Sequence, residues 1–296
     1  MTRSLRRVTP ALLRGWPLPV PARDADKEDR GRLLIIAGAS DNPGAAILAA
    51  TAALRAGVGK VSVATVPQAR AIVCLAVPEA RVVSLSPVRG SVVATADATF
   101  DTVLIGPGLK HSAALTRLVR RETAARPGVD FILDAGAIDA MRDPRLQRVF
   151  AGDRSAPRCL ITPHAGEMAA LLGIDKEALQ ASASEIALDF ARKRNVVTAL
   201  KGARTFVAVP QGELWVHERP NAALASSGSG DVLAGIIGGL CARGASLPQA
   251  AVWGVALHAM AGKRLVARFG AVGSLARELA QEVPAFMELF RPRATT

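Results

Sequence analysis

The sequence predicts an α/β fold whose centre is a doubly wound, mostly parallel β-sheet. Short apolar runs alternate with segments of about 10 to 20 residues that suit crossover helices. These runs show little polar alternation, which is typical of strands that helices cover on both faces. The runs that predict parallel strands are residues 32–38, 60–66, 80–86, 101–108, 130–136, 158–164 and 195–202.

The C-terminal third of the chain departs from this rhythm. Residues 205–217 hold two alternating runs around a Pro-Gln-Gly turn at 210–212, a pattern typical of an antiparallel hairpin. Beyond Asp231 the apolar pattern predicts mostly helix. The candidate helices span residues 231–243, 247–268 and 274–289.

Length and composition limit the number of domains that the chain can form. A chain of 296 residues can bury a sizeable core as one large α/β domain or as two smaller ones. Residues 1–30 are charged and rich in proline, so they predict an irregular or partly helical lead-in. From Gly31 onward we find no linker, internal repeat or low-complexity tract. We therefore expect a single domain over residues 31–296.

The basic charge bears on the class of ligand. A formal net charge of +12 and a sequence pI near 10.8 would suit a nucleic-acid binder. However, the arginines are scattered, aromatic residues are few and Tyr is absent, so no basic block interleaves with stacking residues. The composition therefore argues against a nucleic-acid partner and favours anionic small ligands such as nucleotides.

Cysteine usage and the apolar segments bear on the compartment. Cys74, Cys159 and Cys241 are far apart and odd in number, which fits neither a disulfide framework nor a zinc spacing. Residues 1–32 hold early arginines but no continuous apolar core of signal-peptide length. No run reaches the roughly 18 apolar residues of a membrane span. We expect a cytoplasmic protein without membrane association.

Several predicted strands end in glycine or in a short polar motif. In open α/β sheets, ligands bind at the carboxyl ends of the strands, so these motifs predict one ligand-binding edge. They are Gly38, GPG at 106–108, DAG at 134–136, TPH at 162–164 and KG at 201–202.

The most informative segment is SSGSGD at 226–231, which directly precedes the apolar segment VLAGIIGGL. Its glycines let backbone amides point inward, and the following helix presents unpaired N–H groups and the positive end of its dipole. The segment therefore predicts an anion hole that suits phosphate. Neither a G-x-x-x-x-G-K-[ST] loop nor a G-x-G-x-x-G after a strand is present, which argues against a P-loop NTPase and a Rossmann dehydrogenase.

Asp231, at the end of this segment, has two interpretations. It is either an N-cap or first-turn acid, which would stabilise the helix by about 0.5 to 2 kcal/mol, or a carboxylate that accepts a proton from an attacking hydroxyl. The glycines on both sides favour the second interpretation, because a cap does not need them.

Other candidates on the expected edge also leave two interpretations open. Gly44 and Ala45 either leave room for a ligand at a helix N-terminus or serve tight packing of a small-residue helix. Glu167 is either a first-turn cap partner or organises Mg²⁺ through its waters, and His164 on the same edge is a candidate to hydrogen-bond substrate. Lys201 is either a solvated surface lysine or a contact to a nucleotide.

Taken in this order, the motifs resemble the ADP/ATP-dependent NAD(P)H-hydrate dehydratase family, which has a ribokinase-like fold. The resemblance runs from about Gly31 to Leu289. The longest specific motif is NAALASSGSGDVLAGIIGGL, and the shorter ones count mainly through their order. The other motifs are GRLLIIAGASDNPGAAILAATAALRAGVGKVSVAT, Pro78-Glu79, VLIGPGL, ILDAGAI, LITPHAGEM, LKGART and HAMAG.

This resemblance implies a metabolite-repair reaction in a single ribokinase-like catalytic domain. The C6 hydroxyl of the S epimer of hydrated NADH or NADPH is phosphorylated by ADP or ATP, and phosphate is then eliminated. Asp231 would be the general base; Ala45, Gly108 and His164 would bind the substrate with it, and Glu167 would contact Mg²⁺ through water. The residues implied in nucleotide binding are Lys201, Gly202, Ala203, Arg204, Thr205 and the anion hole Gly228, Ser229 and Gly230.

The resemblance further implies a homo-oligomer, such as a homotetramer, and a standalone domain of the bacterial, ADP-using branch. The chain departs from the family pattern at Lys110 (usually glycine), Gly136 (commonly a second acid), Ala165 (usually proline) and Lys263 (usually aspartate). These departures bear on substrate preference and efficiency rather than on the base or the anion hole.

Two other functions remain open at this point. A kinase of the same fold would phosphorylate a vitamin precursor of the hydroxymethylpyrimidine, thiazole or pyridoxal type and release the phosphate ester. A nucleotide-binding protein without turnover would use the same pocket as a sensor or scaffold.

Overall fold

The structure is a computed structural model, and it describes residues 5–22, 24–85, 99–152, 158–218 and 222–292. Parts of three predicted segments lie outside these described residues. They are residues 1–4 and 23 of the lead-in, residue 86 of the run 80–86 and residue 221 of the motif 221–240.

A single mixed sheet of 10 strands forms the centre of the molecule, in the order β1-β10-β9-β8-β7-β6-β5-β2-β3-β4. Neighbours from β8 to β4 along this order are parallel, whereas β8–β9 and β9–β10 are antiparallel. The strands are β1 (Leu5–Arg7), β2 (Arg32–Ile36), β3 (Lys60–Thr65), β4 (Arg81–Ser84), β5 (Thr102–Ile105), β6 (Asp130–Leu133), β7 (Arg158–Ile161), β8 (Val197–Leu200), β9 (Thr205–Ala208) and β10 (Leu214–His217).

This topology confirms the predicted doubly wound, mostly parallel sheet and its terminal hairpin. Each predicted apolar run contains one parallel strand, and β5, β6 and β8 are buried along their whole length. Burial on both faces explains why these runs are uniformly apolar, since no side of the strand meets water.

Helices cover both faces of the sheet. Helices α2, α3 and α9–α11 pack on the face that holds Leu33 and Ile35, and α4–α8 pack on the face that holds Leu34 and Ile36. The helices are α1 (Pro10–Gly15), α2 (Gly44–Arg55), α3 (Pro67–Ala76), α4 (Ala113–Ala125), α5 (Pro144–Phe150), α6 (Ala165–Leu172), α7 (Lys176–Ala181), α8 (Ala183–Arg194), α9 (Ser229–Ala242), α10 (Leu247–Phe269) and α11 (Ala276–Leu289), with 3₁₀ turns at Ala135–Arg142 and Ala222–Ala225.

The N-terminal segment contains more structure than the irregular or partly helical lead-in that the sequence predicts. Leu5–Arg7 forms the edge strand β1, which pairs in parallel with β10. Leu13 of α1 is buried, and the Trp16 ring stacks on that of Trp215 with centroids 5.7 Å apart. A strand of three exposed residues, two of them arginines, carries no apolar signal, which is why the sequence pattern missed it.

The strand order reverses between β2 and β5, which creates a crevice at the carboxyl ends of these two strands. From β2 the chain winds outward through β3 and β4, then returns to β5 and winds outward the other way. Ligands of open α/β sheets bind at such a switch point. Among the described residues, no helix combines the length and the apolar character needed to cross a membrane.

Candidate active site

The loops that follow β2 and β5 meet at the switch point. The backbone N–H of Gly38 donates a hydrogen bond to the carbonyl of Pro107 at 2.9 Å. Gly108 has a φ of +71°, and a Cβ at this position would lie 2.5 Å from the Cβ of Ala45. The structure therefore brings Ala45 and Gly108 together, and both its backbone conformation and its close contact require glycine at position 108.

The predicted anion-hole segment forms the start of α9. Gly228 is the N-cap residue with a φ of +85°, and the helix begins at Ser229 rather than at Asp231. A Cβ at Gly228 would lie 2.5 Å from Leu48 Cδ1 on α2. The N–H of Ser229 donates to the backbone carbonyl of Ser226 at 3.2 Å, and the first turn presents the positive end of the helix dipole at the edge of the sheet. Asp231 lies in this first turn and is not the N-cap.

The carboxyl group of Asp231 is largely buried and has a pKa raised to about 7. Burial is the main cause; the charges of Asp134 and Glu167 raise the pKa further, whereas Lys201 lowers it. A carboxyl group with this pKa can both accept and release a proton near neutral pH, as general acid–base catalysis requires. This property separates Asp231 from an ordinary first-turn acid.

Lys201 holds a buried polar network next to Asp231. Its Nζ lies 3.0 Å from Asp134 Oδ1, and the hydroxyl of Thr162 donates to the same oxygen at 2.6 Å. The ammonium also lies 3.4 Å from the position that a Cβ at Gly230 would take, so it is adjacent to the anion hole. Lys201 is therefore not the solvated surface lysine that the sequence left open.

The charge of Lys201 is preserved by its neighbours. Burial lowers the pKa of the Lys201 ammonium, but the carboxylates of Asp134, Glu167 and Asp231 outweigh burial and raise that pKa overall. A permanent positive charge beside the start of α9 favours an anionic ligand there.

Lys201→Met is expected to lower the free energy of unfolding by about 3 to 5 kcal/mol, because it leaves the carboxylate of Asp134 buried without its partner. Asp134 is the more deeply buried member, with a side chain only 3% exposed. The double variant Lys201→Met/Asp134→Asn is expected to recover most of this loss. Urea denaturation measures the free energy of unfolding of both variants. If the double variant were as unstable as Lys201→Met alone, the loss of stability would come from packing and not from the unpaired carboxylate.

His164 and Glu167 form a reciprocal cap at the start of α6. His164 Nδ1 accepts from the backbone N–H of Glu167 at 3.1 Å, and Glu167 Oε2 accepts from the backbone N–H of His164 at 2.8 Å. Glu167 therefore is the cap partner that one interpretation predicted, and His164 caps α6 with it. Both residues nevertheless belong to the site, because His164 lines the cavity described below and the charge of Glu167 affects the pKa of both Lys201 and Asp231.

The donor set suits a magnesium ion that arrives with a phosphorylated ligand. Among the described residues, no group of three or more His, Cys, Asp or Glu side chains is placed to hold a metal ion. Mg²⁺ commonly keeps several waters and takes one or two carboxylates together with substrate phosphates. Because one oxygen of Glu167 already caps α6, a contact through water fits this residue better than direct coordination.

A cavity of about 660 Å³ lies between the end of the β9–β10 hairpin, the 3₁₀ turn at Ala222–Ala225 and helices α9 and α10. Most of the predicted nucleotide-binding residues line it. Its lining residues are His164, Lys201, Gly202, Ala203, Thr205, His217, Leu224, Ala225, Ser226, Ser229, Gly230, Leu233, Val255, His258 and Ala259.

Some predicted site residues lie beside this cavity rather than in its wall. Arg204 is exposed, and its guanidinium stacks over the Phe206 ring at 5.5 Å from the centroid. Gly228 and Asp231 are not among the lining residues, although they adjoin Ser229 and Gly230. Ala45 is only 1% exposed and packs against Gly108 at the switch point, which favours the packing interpretation of Ala45.

Sequence reasoning assigned no role to several residues that the structure places at the site. Asp134 was recognised only as part of a strand-end motif, and His258 only as part of HAMAG. His217 and His258 both line the cavity, from β10 and α10. Their positions depend on contacts between distant elements, which no local pattern reports.

Two departures from the family pattern are in contact at the substrate side. A Cβ at Gly136 would lie 2.4 Å from the carbonyl oxygen of Leu109 and 2.5 Å from the backbone nitrogen of His111. The backbone of residues 109–111 thus fills the space that an acidic side chain would need. The same loop carries Lys110, whose Nζ pairs with Asp41 Oδ2 at 2.6 Å across the mouth of the crevice.

The sheet topology, the anion-binding helix start and the adjacent carboxyl group together define the class of protein. It is a ribokinase-like α/β protein whose site suits a nucleotide and phosphoryl transfer. Comparisons with known proteins narrow this class.

A sequence profile described as NAD(P)H-hydrate dehydratase matches residues 33–285. The ADP-dependent (S)-NAD(P)H-hydrate dehydratase of Xanthomonas campestris pv. campestris is 45% identical over 96% of this chain and 96% of its own length. The enzyme of that name from Bacillus subtilis is 32% identical over 92% of this chain and 95% of its own length.

A solved structure agrees with these matches. The crystal structure of ADP/ATP-dependent NAD(P)H-hydrate dehydratase from Bacillus subtilis, co-crystallized with ATP/Mg²⁺, is similar with a TM-score of 0.86 and 29% identity. The similarity covers 98% of this chain and 100% of that one. This chain belongs to the NAD(P)H-hydrate dehydratase family.

Proposed function

We propose that this protein is an ADP-dependent (S)-NAD(P)H-hydrate dehydratase that repairs hydrated NADH and NADPH. The observation that carries the proposal is the carboxyl group of Asp231, with a pKa of about 7, one residue beyond the anion-binding turn at Gly228–Gly230. A relative named for this activity, 45% identical along nearly the whole chain, supports it.

The nucleotide occupies the cavity beside α9 and α10 in this proposal. Gly202, Ala203 and Thr205 line one side, and the mainly apolar wall of Leu224, Leu233 and neighbouring residues suits a nucleobase. Lys201, whose charge its carboxylate neighbours maintain, contacts the phosphates near the start of α9. Arg204 covers the outer rim of this site.

The substrate approaches from the switch point, where Gly108 and the backbone around the buried Ala45 contact the dinucleotide and His164 reaches it from the start of α6. Asp231 then accepts the proton of the C6 hydroxyl while the hydroxyl oxygen bonds to the terminal phosphorus. The bond between that phosphorus and the leaving nucleotide breaks, and the start of α9 stabilises the transferring group through its helix dipole and the N–H groups of Gly228 and Gly230.

Elimination follows from the chemistry of the phosphorylated ring. Phosphate is a far better leaving group than hydroxide, and the lone pair of the ring nitrogen expels it as the C6–O bond breaks. A proton leaves the neighbouring carbon, and the dihydronicotinamide forms again. Phosphoryl transfer thus serves to activate a hydroxyl that could not otherwise depart.

Magnesium fits this site together with the nucleotide, and Glu167 is the residue we propose to hold it through water. When bound, Mg²⁺ neutralises charge on the phosphate oxygens. We also propose, from the family resemblance, a homo-oligomer such as a tetramer, a cytoplasmic location, and no nucleic-acid or membrane partner.

The direct test mixes the protein with hydrated NADH, Mg²⁺ and either ADP or ATP, and follows the near-ultraviolet absorbance of the dihydronicotinamide. We expect a rise that requires nucleotide and is faster with ADP, with free phosphate as co-product. A reaction without nucleotide is the control.

Two other outcomes would replace the proposal. A stable phosphate ester formed from a vitamin-precursor alcohol, with no rise in absorbance from hydrated NADH, would identify a kinase of the same fold. If ADP raised the melting temperature, as any ligand of the native state does, while no substrate was consumed, the protein would be a nucleotide binder without turnover.

A further inference from the structure

The buried imidazole of His258 contacts the anion-binding turn directly. Its Nε2 lies 3.0 Å from the backbone carbonyl oxygen of Ser229 and 3.0 Å from the Ser229 hydroxyl oxygen. His258 is 7% exposed and Ser229 is 3% exposed. The contact therefore joins the middle of α10 to the first residue of α9 where little water can compete.

The protonation state of His258 defines what this contact does. Burial lowers its pKa to about 4, with the positive charges of Lys201 and His217 acting in the same direction and the bond to Ser229 opposing them. The ring is therefore neutral at physiological pH and carries one N–H. A carbonyl oxygen can only accept, so the contact with the Ser229 carbonyl is a hydrogen bond when Nε2 holds this proton, and the role assigned to His258 below requires this Nε2–H tautomer.

The packing between α9 and α10 leaves this contact little freedom. Gly254 lies one turn before His258, and a Cβ there would come within 2.5 Å of Ile237 Cγ1 on α9. The close approach of the two helices at this point therefore depends on glycine at position 254. This packing positions the imidazole of His258, and the imidazole in turn positions the Ser229 peptide group.

We propose that His258 is a positioning residue for phosphoryl transfer, which rests on the function proposed above. By holding the Ser229 carbonyl, it orients the first turn of α9 so that the N–H groups of Gly228 and Gly230 and the carboxyl group of Asp231 face the same phosphoryl group. His258 donates no proton to the reaction; its N–H remains on the Ser229 carbonyl throughout.

The test compares two substitutions at His258 with a matched one elsewhere. His258→Phe keeps a ring but removes the N–H, and His258→Gln keeps an amide N–H. Gln249→Met is the control, because Gln249 is also buried on α10 and donates side-chain N–H groups to the backbone carbonyls of Trp16 and Pro17, but it lies outside the cavity. Turnover, melting temperature and ADP affinity are measured for each variant.

We expect His258→Phe to lower kcat by about 10- to 100-fold, since a misplacement near 1 Å can cost about 10²-fold. The substrate KM is expected to change little, because the role proposed for His258 is exerted through the first turn of α9 and includes no contact with the substrate. His258→Gln is expected to recover most of the rate, and Gln249→Met to retain all of it. A folded His258→Phe variant with normal kcat, or a folded His258→Gln variant as slow as it, would overturn the proposal.

Two further measurements do not depend on turnover, and the first of them needs no variant. Nitrogen-15 NMR of the wild-type histidines is expected to show His258 as the neutral Nε2–H tautomer at pH 7, and the Nδ1–H tautomer would contradict the proposal. If the wild type fails to dehydrate hydrated NADH, the proposed function fails. The role of His258 is then tested by binding alone: His258→Phe is expected to weaken the binding of ADP, which carries phosphates, more than that of adenosine, which carries none. An equal loss of affinity for the two ligands would contradict a role of His258 in positioning the anion-binding turn.

Discussion

Asp231→Asn is expected to lower kcat by at least about 10²-fold, the lower end of what a positioned general base contributes. The asparagine has nearly the same shape but cannot accept the proton of the C6 hydroxyl. Gly228, Ser229 and Gly230 are unchanged, so ADP binding and the fold should persist. Steady-state kinetics and isothermal titration calorimetry with ADP measure the two effects separately.

A matched control is available in the same chain. Asp175 precedes α7, is exposed, and makes no side-chain hydrogen bond to cap the helix. Asp175→Asn therefore changes the same functional group and is expected to leave kcat unchanged. A properly folded Asp231→Asn variant that turned over at the wild-type rate would exclude Asp231 as the base.

The pH dependence of the wild type follows from the same group. The working form of Asp231 is the carboxylate, and its pKa is about 7. Below that pH the protonated fraction grows, so kcat/KM is expected to fall on the acidic side. In Asp231→Asn this decrease of kcat/KM at acidic pH is expected to disappear, because the carboxyl group that causes it has been removed.

The contribution of Asp231 to stability is expected to decrease as pH rises, whereas its contribution to activity increases. The pKa of Asp231 is about 7 in the folded protein against a reference value of 3.8, so the folded state binds this proton more tightly. The stabilisation from the protonated form is complete below 3.8 and is lost as pH rises through about 7. The melting temperature of Asp231→Asn relative to wild type is therefore expected to rise across this window.

The parts of the molecule that sequence could predict are those that local physical chemistry dictates. Strands buried on both faces must be apolar throughout, so the runs around β2, β5 and β6 were visible as strands. The glycine-rich segment before α9 was visible because glycine is unfavourable in regular structure without a geometric reason. These two kinds of signal predicted the sheet and singled out the segment at the start of α9, whose role as an anion hole is still a prediction.

The remaining site depends on contacts between residues far apart in the chain. The ion pair of Lys201 with Asp134 spans 67 positions, and the contact of Ser229 with His258 spans 29. Neither residue type nor spacing indicates such a pair. The raised pKa of Asp231 has the same origin, since it depends on burial and on carboxylates contributed by other elements.

The departures at Lys110 and Gly136 show how structure changes the meaning of a sequence difference. Considered separately, Lys110 adds a positive charge and Gly136 removes an acidic side chain. In the fold, the backbone of residues 109–111 packs against Gly136, and this same loop extends Lys110 towards Asp41. The two positions therefore belong to one local arrangement at the substrate side.

The glycines inside α9 serve a purpose different from those that precede it. A Cβ at Gly235 would lie 2.2 Å from the carbonyl oxygen of Ala49 on α2, and the atoms around it are backbone. Backbone cannot move aside as a flexible side chain can. The close approach of α2 and α9 places Leu48 against Gly228 and so fixes the height of the anion-binding turn above the sheet.

Gly235→Ala is therefore expected to lower the free energy of unfolding by about 3 kcal/mol or more, at the upper end of overpacking effects. Alanine is favoured over glycine in a helix by about 1 kcal/mol, so the loss must come from forcing α9 away from α2. Urea denaturation gives the change in stability, and ADP affinity reports any displacement of the turn at Gly228.

Gly238 provides the control within the same helix. A Cβ there would meet only the side chains of Leu33 and Ile132, at 3.3 Å or more. Those side chains can adjust, so Gly238→Ala is expected to change stability by about 1 kcal/mol or less. Equal losses at Gly235 and Gly238 would contradict a specific role for the α2–α9 contact. A loss confined to Gly235, together with weaker ADP binding, would mean that helix packing sets the geometry on which phosphoryl transfer depends.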